Sequence, residues 1–253
     1  MSLPIRKLIS TFASRGIAGG ASFALNITLI RLLGSDEAGV IIFAITLLTT
    51  IVIITRFGLD IVMLRIVASN FYSKKWGQIN GSHYSYLKII LLIGGIFSSL
   101  IFILTDIIST YSNIEISRRE LHLIAISIIP LAIIYLNAGF IKGLERVGLG
   151  ISLSMISVPL LTMIFLISFK IEVKTIALLS YTIAIYITLI ISVSFWRLFS
   201  DREHKKTIST KESMSLGLPV FLINLFTNLQ TSIPIFLIGF FIGSSSDISI
   251  FQA

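Results

Sequence analysis

Apolar runs of about 20 residues, repeated along nearly the whole chain, leave this sequence few folds to choose from. A helix of that length crosses a hydrocarbon core of about 30 Å. Helices are favoured over a barrel because the runs are too long and too uniformly apolar to be alternating strands. The predicted spans lie at 8–33, 39–64, 86–106, 121–141, 149–169, 175–196 and 216–242. Little is left over from which a soluble core could be built. The composition, 55 % hydrophobic and 13 % charged, lies outside the soluble globular range in the same sense. A secretory signal peptide at Arg6 and Lys7 is rejected, because the apolar stretch behind them is too long and lacks a cleavage site. The fold class is therefore all-α, a polytopic transmembrane helix bundle.

With the N-terminus in the cytoplasm, thirteen basic residues, Lys142 and Arg146 among them, fall in inner connections and five in outer ones. The positive-inside rule selects that orientation. The net charge of +8 thus reports loop placement, and with no aromatic platform beside the cations, no nucleic acid is expected as a partner. The absence of cysteine excludes disulfides and thiolate metal sites, and His83, His122 and His204 read as solvated side chains at helix edges or in loops. No metal and no cofactor are expected. Acidic residues are sparse and no serine has a histidine placed to activate it, so the chain does not read as an enzyme.

Two of the twenty basic residues, Arg15 and Arg56, fall inside spans, where a charge is costly. Stepping about 100° per residue from Arg15 places Thr11, Gly19, Ser22 and Asn26 within about 40° of it. The same exercise on the second span groups Thr49, Arg56 and Asp60. Polar stripes inside a membrane must face protein or water. Arg15 either snorkels to the inner headgroups or meets an anion in a hydrated cavity. Arg56 either joins it there or pairs with Asp60 one turn along, and Asp60 reads as a salt-bridge partner or an ion-coupling group. Gly16 and Gly20 form a small-xxx-small pair that predicts close helix packing. Pro130, Pro159, Pro219 and Pro234 predict kinks.

The segment "LIRLLGSDEAGVIIFA" at 29–44 recurs loosely as "LIGFFIGSSSDISIFQA" at 237–253, with Gly34, Ser35 and Ala44 matching Gly243, Ser244 and Ala253 at an offset of 209. At that offset Arg15 corresponds to Asn224 and Gly19 to Asn228, so the polar stripe returns in phase on the seventh span. An even number of crossings separates the copies, which gives them the same orientation and places a site between two parallel halves. The expected organisation is a six-helix bundle at 1–200, a cytoplasmic linker at 201–214 and the start of a second bundle at 215–253. On this reading the chain is a fragment or a truncated product.

"IRLLGSDEAGV" after the first span, "FGLDIVMLRIVA" closing the second, "GFIKGLERVGLG" between the fourth and fifth and the final "SLGLPVFLINLFTNLQTSIPIFLIGFFIGSSSDISIFQA" resemble the Wzx-type polysaccharide-unit flippases. These belong to the multidrug/oligosaccharidyl-lipid/polysaccharide exporter (MOP) superfamily. The resemblance implies two helix bundles around a cationic cavity that receives an isoprenoid diphosphate-linked oligosaccharide in the bacterial cytoplasmic membrane. It implies lipid-linked glycan and membrane lipids as partners and admits a polysaccharide polymerase complex. Arg15 is similar in placement to a first-helix arginine of the related lipid II flippases, and Arg56, Ser22, Asn26, Asn224 and Asn228 complete the expected substrate site. The rival readings are a cation-coupled drug exporter of the same superfamily, a membrane-embedded glycan polymerase and an inactive remnant.

Overall fold

The computed structural model describes residues 3–111, 116–201, 210–239 and 245–252, and among them there are helices and no strand. The first helix, α1 (Leu3–Arg56), is two helices read through a break. Its continuous apolar stretch of 46 residues would be about 69 Å long if straight, more than twice the membrane core. Gly34, at φ 81° and ψ 167°, divides it into arms 3–33 and 35–56. Only glycine adopts that conformation without strain, and Ser35, Asp36 and Glu37 then supply the polar first turn that starts the second arm.

The chain continues through α2 (Leu59–Asn70), α3 (Trp76–Tyr111) and α4 (Arg118–Gly143). Next come α5 (Val147–Ile151), a π-helical turn (Ser152–Ile156) and α6 (Ser157–Phe169) as one crossing, then α7 (Lys174–Phe199), α8 (Thr210–Leu237) and α9 (Ser245–Gln252). Six of the described helical runs are long and apolar enough to span a membrane, and division of the first at Gly34 makes seven crossings. The protein is a multi-pass membrane protein of the expected fold class. The linker expected at 201–214 lies largely outside the described residues, as does His204.

At the centre stands α4, with 78 % of its most apolar stretch buried against 17 % for α3 and for α8. Its start is fixed by a capping box in which Ser117 and Glu120 satisfy each other's backbone N–H groups. Its close contacts come from a small-xxx-small pair that differs from the expected one. A Cβ at Gly139 would lie 2.1 Å from the Asp60 carbonyl oxygen, and one at Gly143 would lie 2.8 Å from that of Leu64. No atom of a neighbouring helix among the described residues comes within 4 Å of the corresponding points at Gly16, Gly19 and Gly20. The glycines of α4 seat α2 backbone to backbone, and the expectation for Gly16 and Gly20 is corrected.

The histidine reading is also corrected at His83. Helix α3 begins ten residues before the predicted span, and His83 is buried there. It hydrogen bonds Asn137 of α4 at 2.8 Å and stacks on Trp196 of α7, while Asn137 donates to Ser192 at 3.1 Å. Polar side chains that satisfy one another inside the protein extend a membrane helix beyond its apolar run. His122 is exposed, as expected.

Positions 36 and 245, equivalent in the repeat, touch in the structure: Ser245 Oγ donates to Asp36 Oδ1 at 3.4 Å. The crossing is tight, with a Cβ at Gly39 falling 1.8 Å from the Ser245 carbonyl oxygen. Because the chain has no cysteine, Asp36→Cys with Ser245→Cys is expected to yield an intrachain disulfide on mild oxidation. Quantitative labelling of both thiols by maleimide after oxidation would contradict this crossing.

Candidate functional site

Between the two arms of α1 and helices α4, α6, α7 and α8 lies a cavity of about 650 Å³. The first arm contributes Arg15, Gly19, Ser22 and Asn26, and the second contributes Thr46 and Thr49. Tyr135 of α4, Ser154 of the π turn, Tyr181 of α7 and Asn228, Thr231 and Ser232 of α8 complete its polar lining. The helical period explains the first contribution: Arg15, Gly19, Ser22 and Asn26 are the stripe read from the sequence. Thr50 Oγ1 donates to Asn228 Oδ1 at 2.9 Å and ties α8 to the second arm at this depth.

Pro159 accounts for part of the wall. It has no N–H for the carbonyl four residues back and its ring crowds that turn. The preceding residues widen into the π-helical turn Ser152–Ile156, which presents Ser154 and Met155 to the cavity.

The two membrane arginines have different surroundings. Arg15 is exposed, lines the cavity and has no hydrogen-bond or ion-pair partner among the described residues. Arg56 ends α1, donates from Nη1 to Asp60 Oδ2 at 2.8 Å and is not among the lining residues. Its guanidinium lies 4.3 Å from the centroid of the Tyr135 ring, and Tyr135 does line the cavity. The pair spans a break at Phe57 and Gly58, with φ of 47° and 71°, so the ions brace the two helices across it.

Of the residues named from sequence, the structure brings Arg15, Ser22, Asn26 and Asn228 together. Asp60 sits behind the wall with Arg56, and Asn224 is outside the lining. Thr46, Tyr135, Ser154 and Tyr181 were missed. Hydroxyl side chains are scattered on every face of these spans, with Ser180 and Thr182 flanking Tyr181 and Ser152 and Ser157 close to Ser154, so their positions alone do not single out the ones that face the cavity. No lining residue is acidic, so Arg15 carries the only formal charge on the cavity wall among the described residues.

The fold and the site define a class: multi-pass helical membrane proteins with a polar chamber between their helices. Residues 5–253 match the family described as "Polysaccharide biosynthesis protein", and the chain belongs to that family. Two solved structures share the fold. One is described as the inward-facing conformation of a multidrug resistance MATE family transporter of the MOP superfamily, with a TM-score of 0.70, 14 % identity and 92 % of this chain covered. The other, described as "protein A", has a TM-score of 0.76, 14 % identity and 99 % of this chain covered. The chain spans 56 % and 59 % of the length of those two chains. No curated protein matches it. The quoted motifs were read as those of a polysaccharide-unit family, and the family matched is one of polysaccharide biosynthesis.

Proposed function

We propose that this protein is a flippase for isoprenoid diphosphate-linked oligosaccharide, acting in the bacterial cytoplasmic membrane with its N-terminus in the cytoplasm. One observation carries the reading: among the described residues, the only charge on the cavity wall is a cation with no partner of its own. An unpaired arginine inside a membrane is costly unless an anion or water meets it, and a guanidinium is suited to bidentate binding of phosphate. The surrounding hydroxyl and amide groups of Ser22, Asn26, Thr46, Thr49, Asn228 and Thr231 suit sugar hydroxyls. The sugar crosses through the wet cavity by alternating access while the isoprenoid stays in lipid.

A drug exporter of the same superfamily shares the fold but needs a wall that attracts cations, and among the described residues the wall has no carboxylate. The discriminating experiment uses cells whose surface polysaccharide depends on this protein. Arg15→Gln is expected to lower surface polysaccharide at least tenfold at equal protein level, with lipid-linked glycan accumulating on the cytoplasmic leaflet. Unchanged export, or efflux of a cationic dye that survives Arg15→Gln, would overturn the reading.

A further inference from the structure

Lys142 closes α4 in a position where a lysine ordinarily stretches to the membrane surface. Here it turns the other way. Its stem lies across Gly150, where a Cβ would fall 2.4 Å from Lys142 Cγ, and its ammonium reaches Ser154 Oγ at 3.3 Å. Ser154 lies seven residues into the crossing that begins at Val147, about 10 Å from its end. It lines the central cavity. Glycine at 150 makes the inward path of the side chain available.

A second cavity, of about 620 Å³, lies at the same end of the bundle and is lined by Thr11, Lys142, Gly143, Glu145, Arg146 and Gly148. Glu145, its only acidic group among the described residues, accepts a hydrogen bond from Tyr72. Arg146 lies over the Phe199 ring at 4.0 Å. Lys142 is thus the wall common to both chambers: it lines the second, and its ammonium is held by a residue that lines the first.

The charges around it are not balanced. Among the described residues Lys142 shares its surroundings with Arg15, Arg56 and Arg146 and with Asp60 and Glu145, which makes four cations to two carboxylates. Asp60 is already taken by Arg56, and a serine hydroxyl compensates no charge. A net of two positive charges is left to a ligand, and Arg15 and Lys142 are the cations that reach the central cavity. A diphosphate diester, with one ionised oxygen on each phosphorus, carries two negative charges.

We propose that Lys142 is a second anion-binding residue of the flippase, and that the cavity it shares with Arg146 is the vestibule through which the diphosphate headgroup enters. The inference rests on the flippase reading and deepens it: the ligand is a diphosphate diester gripped by Lys142 and Arg15 together. In the vestibule the headgroup meets Arg146 and Lys142, and rotation of the lysine stem over Gly150 carries it past Ser154 to Arg15.

The test is equilibrium binding of a water-soluble farnesyl diphosphate sugar to the purified full protein. Lys142→Met, near-isosteric and uncharged, is expected to weaken binding about tenfold, and Arg15→Gln by a similar factor. Should Lys142→Met not fold, Ser154→Asp retains the lysine, places a carboxylate on its ammonium and is expected to give the same loss. Binding lost with Arg15→Gln but unchanged with Lys142→Met or Ser154→Asp overturns this inference and leaves the flippase reading intact. Binding unchanged in all three overturns both.

Discussion

Gly139→Val is expected to drive α2 away from α4 and leave little folded protein in the membrane. The added Cβ would lie 2.1 Å from the Asp60 carbonyl oxygen and 2.9 Å from its carbon. Both atoms are backbone, so no rotamer relieves the clash and the helices themselves must separate. Overpacked cores typically cost about 1–3 kcal/mol, and a backbone contact of this kind belongs at the top of that range or above it. Membrane helices associate largely through such close packing, because the lipid is as apolar as their side chains. The effect reaches the cavity, since α2 carries Asp60, which pairs with Arg56, which in turn lies on the wall residue Tyr135. Gly16→Val is the control: the space around Gly16 is open and the variant should behave as wild type. Fluorescence-detected size-exclusion of the two variants checks the prediction, and equal monodisperse peaks would contradict the crossing.

The contrast between these glycines shows what could be read from the sequence. Both pairs have the same spacing, and spacing does not say which helix face meets a neighbouring backbone. Arg15, Ser22 and Asn26 were legible for a different reason: a polar residue repeated at the helical period within an apolar run needs a polar neighbour wherever it sits. The crossings were legible because hydrocarbon thickness sets their length. His83 was not, because its partners Asn137 and Trp196 lie 54 and 113 residues further along, and hydropathy registers only that the residue is polar. Lys142 reads as a connection charge, which its place in the chain supports; only the fold shows that its ammonium turns inward to Ser154. Topology follows from local sums, whereas the site depends on which way particular side chains point.

Asp60→Asn is expected to destabilise the protein by about 3–5 kcal/mol, the usual result of removing one partner from a buried ion pair. Each side chain of the pair is 12 % exposed, and Arg56 Nε and Asp60 Oδ1 are buried without a hydrogen-bond partner. The geometry therefore provides one strong contact and little else to hold a lone guanidinium. Arg56 would retain only the Tyr135 ring, at a break where Phe57 already has a positive φ. Exchanging both ions is a different matter: Arg56→Met with Asp60→Leu removes the desolvation of two charges together and is expected to recover most of the lost stability. This comparison also separates two roles for Asp60. A brace across the helix break needs only that the two residues match, so on the proposed flippase function the double variant should export glycan while Asp60→Asn does not. A carboxylate that binds a coupling ion cannot be replaced by leucine, and the double variant would then fold and fail to transport. Melting temperature and surface polysaccharide, measured on the same three proteins, decide between them, and recovery of both in the double variant is the outcome expected from an ion pair that stands behind the cavity wall.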